Sequence, residues 1–399
     1  MRTLHEVVEV VIATWQAGGA TQVAIDLGRL LADRGHRVRI LGPASEAARV
    51  EVAGCVARAI PKELEFDPAL GRRAEDQWET LARLFFGREL PDVLAAELER
   101  EPADVLVVDY LLRSLAGAAE RMPVPAALLI HTIYGFHGGA GDDEETRQRW
   151  YEPVNASRRE LGLDPLPPSS DSVTVALVRR AAAALVVVPR EFDDWIDPPK
   201  NVIHVGPIST AEAATDWQPP WPSEDARPLV VVTLGTTYMA HEEVLARIAH
   251  ALAPAAYRVL VLTGGELAPE EVSAPAGVEV RGYVPHDAVL PGATLAITHA
   301  GTGTLLAAFA AGVQVVALPL GRDQPANARR TVELGLGRSL DPTATSAEIQ
   351  ALVAQTLVDE TIRIRVARLA TAIRSYDRGS RAVEVIEHLA LGRELEPYA

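Results

Sequence analysis

The sequence holds a single cysteine, Cys55, in 399 residues. That excludes an intrachain disulfide and a cysteine metal cluster, and it fits a reducing compartment. Aromatic residues make up only 5%, so Ala, Val and Leu must fill the cores. Positive charge is also short. Against 54 Asp and Glu stand 38 Lys and Arg, for a formal charge of −16 and a pI near 5.1. This balance argues against a nucleic-acid groove or an anionic-membrane surface as the main business. The N-terminus carries no long apolar run with a small-residue cleavage site, and no stretch of about 18 or more apolar residues occurs. A soluble cytoplasmic protein is expected. What is present is ordinary for a globular chain: 48% hydrophobic and 23% charged residues, over a length that allows two or three domains.

Short apolar runs alternate with amphipathic runs. Val7–Thr14 reads as a strand, Thr21–Arg34 as a helix and Arg37–Leu41 as a strand, with Gly35 where a helix C-cap belongs. Asp104–Val108, Ala126–Ile130 and Ala184–Val188 follow as strands. The rhythm predicts an α/β fold with parallel sheets covered by helices on both faces. Residues 198–228 then hold seven prolines, Trp217, Trp221 and little periodicity, which reads as a linker. The rhythm restarts with Leu229–Leu234, Arg258–Leu262, Val278–Arg281, Thr294–Thr298 and Val313–Leu318. This gives a first domain over 1–207, a linker over 208–228, a second domain over 229–378 and a last helical segment over 379–399, with Gly379 as the break before it. Two such domains on one linker are expected to face each other across a ligand cleft.

The richest segment follows the strand that ends at Thr298. His299-Ala300-Gly301-Thr302-Gly303-Thr304 leads into a helix expected from about Leu305 to Ala311. Two glycines in a strand-to-helix turn let backbone N–H groups approach an anion, and the helix dipole favours negative charge there. Thr302 and Thr304 add hydroxyls and His299 a ring N–H. A tight structural turn is the competing reading. Position 306 is leucine, so this is no GxGxxG fingerprint, and no lysine follows, so it is no P-loop. The next strand ends in Pro319-Leu320-Gly321-Arg322-Asp323-Gln324-Pro325. A carboxylate beside an amide suits the paired hydroxyls of a sugar, while a plain helix N-cap is the alternative for Asp323. Leu234-Gly235-Thr236-Thr237 offers small hydroxyls to a phosphate, and Gly282-Tyr283-Val284-Pro285-His286 offers a flat surface to a base.

Together these residues resemble the nucleotide-sugar-dependent glycosyltransferases of the GT-B fold, in the UDP-glycosyltransferase-like family, and within it the bacterial natural-product type. The resemblance covers most of the chain and is strongest over 229–337, through THAGTGTLLAAFAAGVQVVALPLGRDQPANARR, with Asp-Gln 24 residues after the histidine. It implies two Rossmann-like domains, with the final helix returning to the first. It implies that Thr236, His299, Gly301, Gly303 and Thr304 hold a donor diphosphate, that Asp323 and Gln324 hold the donor sugar, and that Tyr283 and Val284 lie at the base. It further implies an inverting transfer from a UDP- or dTDP-sugar to a small apolar acceptor. No metal and no cofactor are implied, and neither nucleic acid nor membrane is an expected partner. The acidic run Asp142–Glu145 then reads as a solvated helix start. Plant members carry a glutamate for the ribose where this chain has Ala307, which leaves the donor base open.

The first half departs from the family at one position. The loop after the first strand usually presents a histidine that takes the acceptor proton, and here that position is Ala20. The aspartate that orients such a histidine matches Asp109. Three readings stand: Asp109 is itself the base; His131 or His137, after the strand Ala126–Ile130, substitutes; or the chain is a catalytically weak nucleotide-sugar-binding accessory homologue. Trp15, Tyr110, Tyr134, Phe136 and Trp150 are candidates for the acceptor wall, and His36 belongs to turn chemistry.

Overall fold

The structure is a computed structural model that describes residues 6–16, 18–65, 74–138, 150–167, 171–193, 198–210, 217–235, 239, 241–252, 256–264 and 267–393; of 74–78 and 137–138 it describes the backbone alone. The chain forms two compact units. Met1–Thr210 and Tyr376–Ala399 make the first, and Ala211–Ser375 makes the second.

The first unit is built on β1 (Glu9–Ala13), β2 (Arg37–Gly42), β3 (Val56–Ala59), β4 (Val105–Asp109), β5 (Ala126–Ile130), β6 (Ala183–Val186) and β7 (Val202–His204). They form one parallel sheet in the order β3-β2-β1-β4-β5-β6-β7. β1, β4 and β5 are apolar at nearly every position because both faces of the sheet are covered. The helix Gly19–Asp33 buries Ala24, Ile25, Leu27 and Leu31 against this sheet. It stops where Gly35, at φ 90°, donates its N–H to the Ala32 carbonyl while His36 N–H reaches Leu31. This is the two-bond Schellman closure that a left-handed glycine permits. Cys55 is buried beside this helix, its thiol pushed up to about 11 by burial.

The last helix, Ser380–Ala390, lies in the first unit. Its Ala382, Val383, Ile386 and Leu389 join the core formed by β1, β2 and the Gly19–Asp33 helix. His36 Nε2 lies 2.8 Å from Glu387 Oε1, and Arg34 reaches the same carboxylate. Truncating a side chain such as Ile386 here costs about 2–5 kcal/mol.

The second unit carries β8 (Leu229–Thr233), β9 (Arg258–Leu262), β10 (Val278–Arg281), β11 (Leu295–Thr298), β12 (Gln314–Ala317) and β13 (Gly337–Ser339). The parallel order is β10-β9-β8-β11-β12-β13. Its core packs Leu245, Ile248, Ile349 and Val353 against Val230, Val232, Ile297 and Val316.

Two expectations need correction. The proline-rich stretch from 198 is not all linker, because β7 lies inside it and pairs with β6, Val186 opposite His204. The helix after β11 begins at Thr302 and runs to Ala310, three residues before the expected start.

Candidate active site

In the second sheet the strand order reverses between β8 and β11, where Thr233 pairs with Thr298. Open parallel sheets bind ligands at such a switch point, outside the carboxyl ends of the strands. β8 runs out into Leu234-Gly235 and β11 into His299-Ala300-Gly301. The His299 ring fits against both glycines. A Cβ on Gly301 would stand 2.4 Å from its Nε2, and one on Gly235 would stand 2.9 Å from Cε1 and Nε2. Either position needs glycine to admit the ring.

The left-handed residue of this turn is Ala300, at φ 67°, rather than either glycine of the motif. A non-glycine residue in that conformation costs about 1–2 kcal/mol. Local bonds offset it. The Ala300 N–H reaches Thr298 Oγ1 at 3.3 Å, and its carbonyl accepts from Asn327 Nδ2 at 3.0 Å. Gly301 is the N-cap of the helix, and Thr302, Gly303 and Thr304 form the first turn. First-turn N–H groups have no partner within their own helix, and the helix dipole favours an anion beside them. Burial holds the His299 imidazole down at about 4; nearby Asp323 pulls it up, His241 lowers it further, and a hydrogen bond to the Thr233 backbone raises it. At neutral pH His299 therefore offers a ring N–H and no charge.

Asp323 is the N-cap residue of the helix Gln324–Glu333, but its side chain does not cap that helix. Its Oδ2 accepts instead from Thr302 Oγ1 at 3.1 Å and from Asn327 Nδ2 at 3.0 Å. Gln324 is buried and turned to the backbone: Oε1 accepts from Leu320 N–H at 2.7 Å and Gly321 N–H at 3.1 Å, and Nε2 reaches Met239 Sδ at 3.4 Å. The carboxylate and the amide are thus joined to different partners, one to the glycine turn and one to its own loop. Tyr283 is 68% exposed after the edge strand β10, and Val284 beside it is buried. Thr236 lies outside the described residues.

In the first sheet the order reverses between β1 and β4. β4 ends in Asp109, and His131 directly follows the neighbouring β5. Asp109 is buried; Oδ1 accepts from Leu111 N–H at 2.9 Å, and Oδ2 stands 3.3 Å from His131 Nε2. The imidazole beside Asp109 thus comes from the residue after β5, whereas the loop after β1 offers Ala20. The His131 ring is tilted against Tyr110 with centroids 4.8 Å apart. Ala20 is the second residue of the helix Gly19–Asp33, its methyl buried. Trp15 packs edge-on against Phe85, and Trp150 stacks on Phe86. Tyr134 is fully buried, and its N–H donates to Asp193. The His137 side chain and residues 142–145 lie outside the described residues.

Two residues were not legible as site residues. Asn327 is fully buried and donates to Ala300, Thr302 and Asp323, so it ties the glycine turn to the β12 loop. Its one signal was its place four residues after Asp323, on the same helix face. His241 is a second buried imidazole near His299, and its Nδ1 accepts from Met239 N–H at 3.2 Å. Nothing in its local sequence marks it.

Residues 251–389 match the family model of the erythromycin biosynthesis protein CIII-like C-terminal domain. The chain is 35% identical over 225 residues to a demethyllactenocin mycarosyltransferase of Streptomyces fradiae, a match that covers 55% of this chain and spans about half, 48%, of that relative. It is 24% identical to an NDP-glycosyltransferase, YjiC, of Bacillus licheniformis, across 93% of this chain and 95% of that one. Among solved structures, the calicheamicin glycosyltransferase CalG4 superposes with a TM-score of 0.76 at 25% identity, covering 97% of this chain and 99% of that one.

Proposed function

We propose that this chain, like the glycosyltransferases it is similar to, carries out a single in-line transfer of a sugar from a nucleoside diphosphate, UDP or dTDP, to a hydroxyl of a small, largely apolar acceptor. The transfer inverts the anomeric carbon and needs no metal. The Bacillus relative is named for a nucleoside-diphosphate donor, which agrees with an anion-binding helix start after β11.

In this reading the first-turn N–H groups of Thr302, Gly303 and Thr304, with the neutral His299, receive the diphosphate as its charge develops on leaving. Gly301 keeps that approach open by admitting the imidazole. Asp323 accepts from sugar hydroxyls, while Gln324 shapes the loop that presents it. The observation that carries the catalytic half is the 3.3 Å approach of His131 Nε2 to Asp109 Oδ2. With the Nε2 proton directed at the carboxylate, Nδ1 is the nitrogen that takes the acceptor proton. The acceptor oxygen bonds to the anomeric carbon as the bond to the diphosphate oxygen breaks. Asp109 fixes the tautomer and steadies the imidazolium. The two atoms stand at ion-pair distance, and catalytic contacts of this kind shorten into hydrogen bonds when the substrate arrives.

Ala20 favours a second reading, a catalytically weak nucleotide-sugar-binding homologue. One experiment separates the two: product formation by mass spectrometry from UDP- and dTDP-sugars with a panel of phenols and alcohols, in excess chelator. Product in chelator supports transfer without metal. Donor binding with no product across the panel supports the second reading.

A further inference from the structure

Three arginines of the first unit are deeply buried among the described residues: Arg39, Arg113 and Arg158. Arg39 is 2.8 Å from Glu97, and Arg158 is 2.5 Å from Glu120. Arg113 has no such carboxylate among the described residues. Only 8% of it is exposed, and its Nε is buried with no hydrogen-bond partner. It lies instead against aromatic faces. Its Cζ is 5.7 Å from the centre of the Phe86 ring and 5.3 Å from that of Trp150, and these two rings are stacked at 5.5 Å.

A guanidinium over aromatic faces gains cation–π attraction. Those faces satisfy none of the five N–H donors that fan out in the guanidinium plane. A buried charge left that way is costly unless a partner supplies the opposite charge. Burial draws the guanidinium down to about 10 although Tyr110 and Asp109 pull it up, so it is charged at neutral pH. Tyr110 and Asp109 are also the residues that pack on and pair with His131. Arg113 therefore belongs to the cluster that holds the base, four residues beyond Asp109 and at the start of the next helix, Arg113–Ala119.

We infer that Arg113 is an acceptor-recognition residue that takes, through paired N–H···O bonds, a carboxylate carried by an aromatic acceptor. The planar fork of arginine matches a carboxylate in shape as well as charge. The inference rests on the reading of the first unit as the acceptor half, and it narrows the acceptor from small and apolar to aromatic with one acidic group.

The test uses 4-hydroxycinnamic acid and its methyl ester, which share ring and hydroxyl and differ in charge. Binding to the full chain without donor is measured by calorimetry for the unmodified protein, Arg113→Met and Arg113→Lys. The acid should bind at least tenfold more tightly than the ester. Arg113→Met should bring the ratio to about one, and Arg113→Lys should keep part of it. Arg113→Met should also unfold at the same or a higher temperature, because it removes a buried charge that has no carboxylate partner among the described residues; a merely structural arginine would lower that temperature. Equal binding of acid and ester, no binding of the acid, or a preference that survives Arg113→Met overturns the assignment. Should Arg113→Met fail to fold, Arg113→Gln is read by the same ratio. Because binding is read without donor, acid preference in a chain that glycosylates nothing would remove the proposed transfer alone. Turnover of both probes with no acid preference would remove the Arg113 assignment alone.

Discussion

The His299 imidazole occupies the space that a side chain at position 301 would fill, with Nε2 only 2.4 Å from where a Cβ on Gly301 would lie. Glycine at 301 is therefore a packing requirement of the ring before it is anything to a ligand.

Gly301→Ala and Gly303→Ala should behave as opposites. The first forces the ring aside and should cost about 1–3 kcal/mol of stability, the range for overpacking. A Cβ on Gly303 meets nothing within 4 Å, and the residue is helical. Gly303→Ala should keep or raise the unfolding temperature through its better helix propensity. If Gly303 lies against the diphosphate, the same variant loses UDP or dTDP affinity in calorimetry. Full affinity in Gly303→Ala would remove Gly303 from the donor site.

His299 gives a pH signature with a definite sign. Its folded value near 4 lies below the ordinary histidine value of 6.5, so the unfolded chain binds the proton more readily. The stability due to neutral His299 is complete above pH 6.5 and is lost as pH falls through 4. The loss is at most about 3 kcal/mol, and less to the extent that the ring keeps partial solvent contact. His299→Gln should flatten the acid limb of a stability–pH curve, and only in part, because burial also lowers His241. His299→Ala should weaken diphosphate binding by about 1–3 kcal/mol, as for a lost bond to a charged group, equally at pH 7 and pH 9. A loss confined to low pH would mean that the ring binds as a cation.

Much of this was legible in sequence where the physics is local. β1, β4, β5, β8 and β9 show as unbroken apolar runs because both faces are covered. β3, β7 and β13 did not, since each is an edge strand of three or four residues, and β3 is half exposed. The helix start at Thr302 was hidden because Thr-Gly-Thr reads as turn. Asp109 and His131 were each named, but their pairing depends on the registry of β4 and β5, which fixes Asp109 opposite Leu129. Ala300 carries the left-handed bend, and the carbonyl bond from Asn327 that offsets it joins residues far apart in the chain.

Asp323 and Gln324 should separate in binding experiments. Asp323→Ala removes the acceptor shared by Thr302 and Asn327, so some stability is lost. It should still weaken the intact nucleotide sugar more than the free diphosphate. Gln324→Ala frees the Leu320 and Gly321 N–H groups and should show mainly as a lower unfolding temperature. Equal losses of both ligands in Asp323→Ala, with folding intact, would mark Asp323 as a brace of the turn alone.

The proposed chemistry turns on which group takes the acceptor proton. The most direct measurement is kcat/KM for an alcohol acceptor as a function of pH in the unmodified chain, His131→Ala, Asp109→Asn and Ala20→His. His131→Ala should lose about 10²–10⁴-fold, the usual cost of removing a general base, with donor affinity intact and partial rescue by added imidazole. Asp109→Asn should fall between it and the unmodified chain. Ala20→His should add little, because the Ala20 methyl is buried and Asp109 already has an imidazole beside it. A chain in which His131→Ala is as active as the original, while Asp109→Asn is dead or Ala20→His gains tenfold, would contradict the His131–Asp109 assignment.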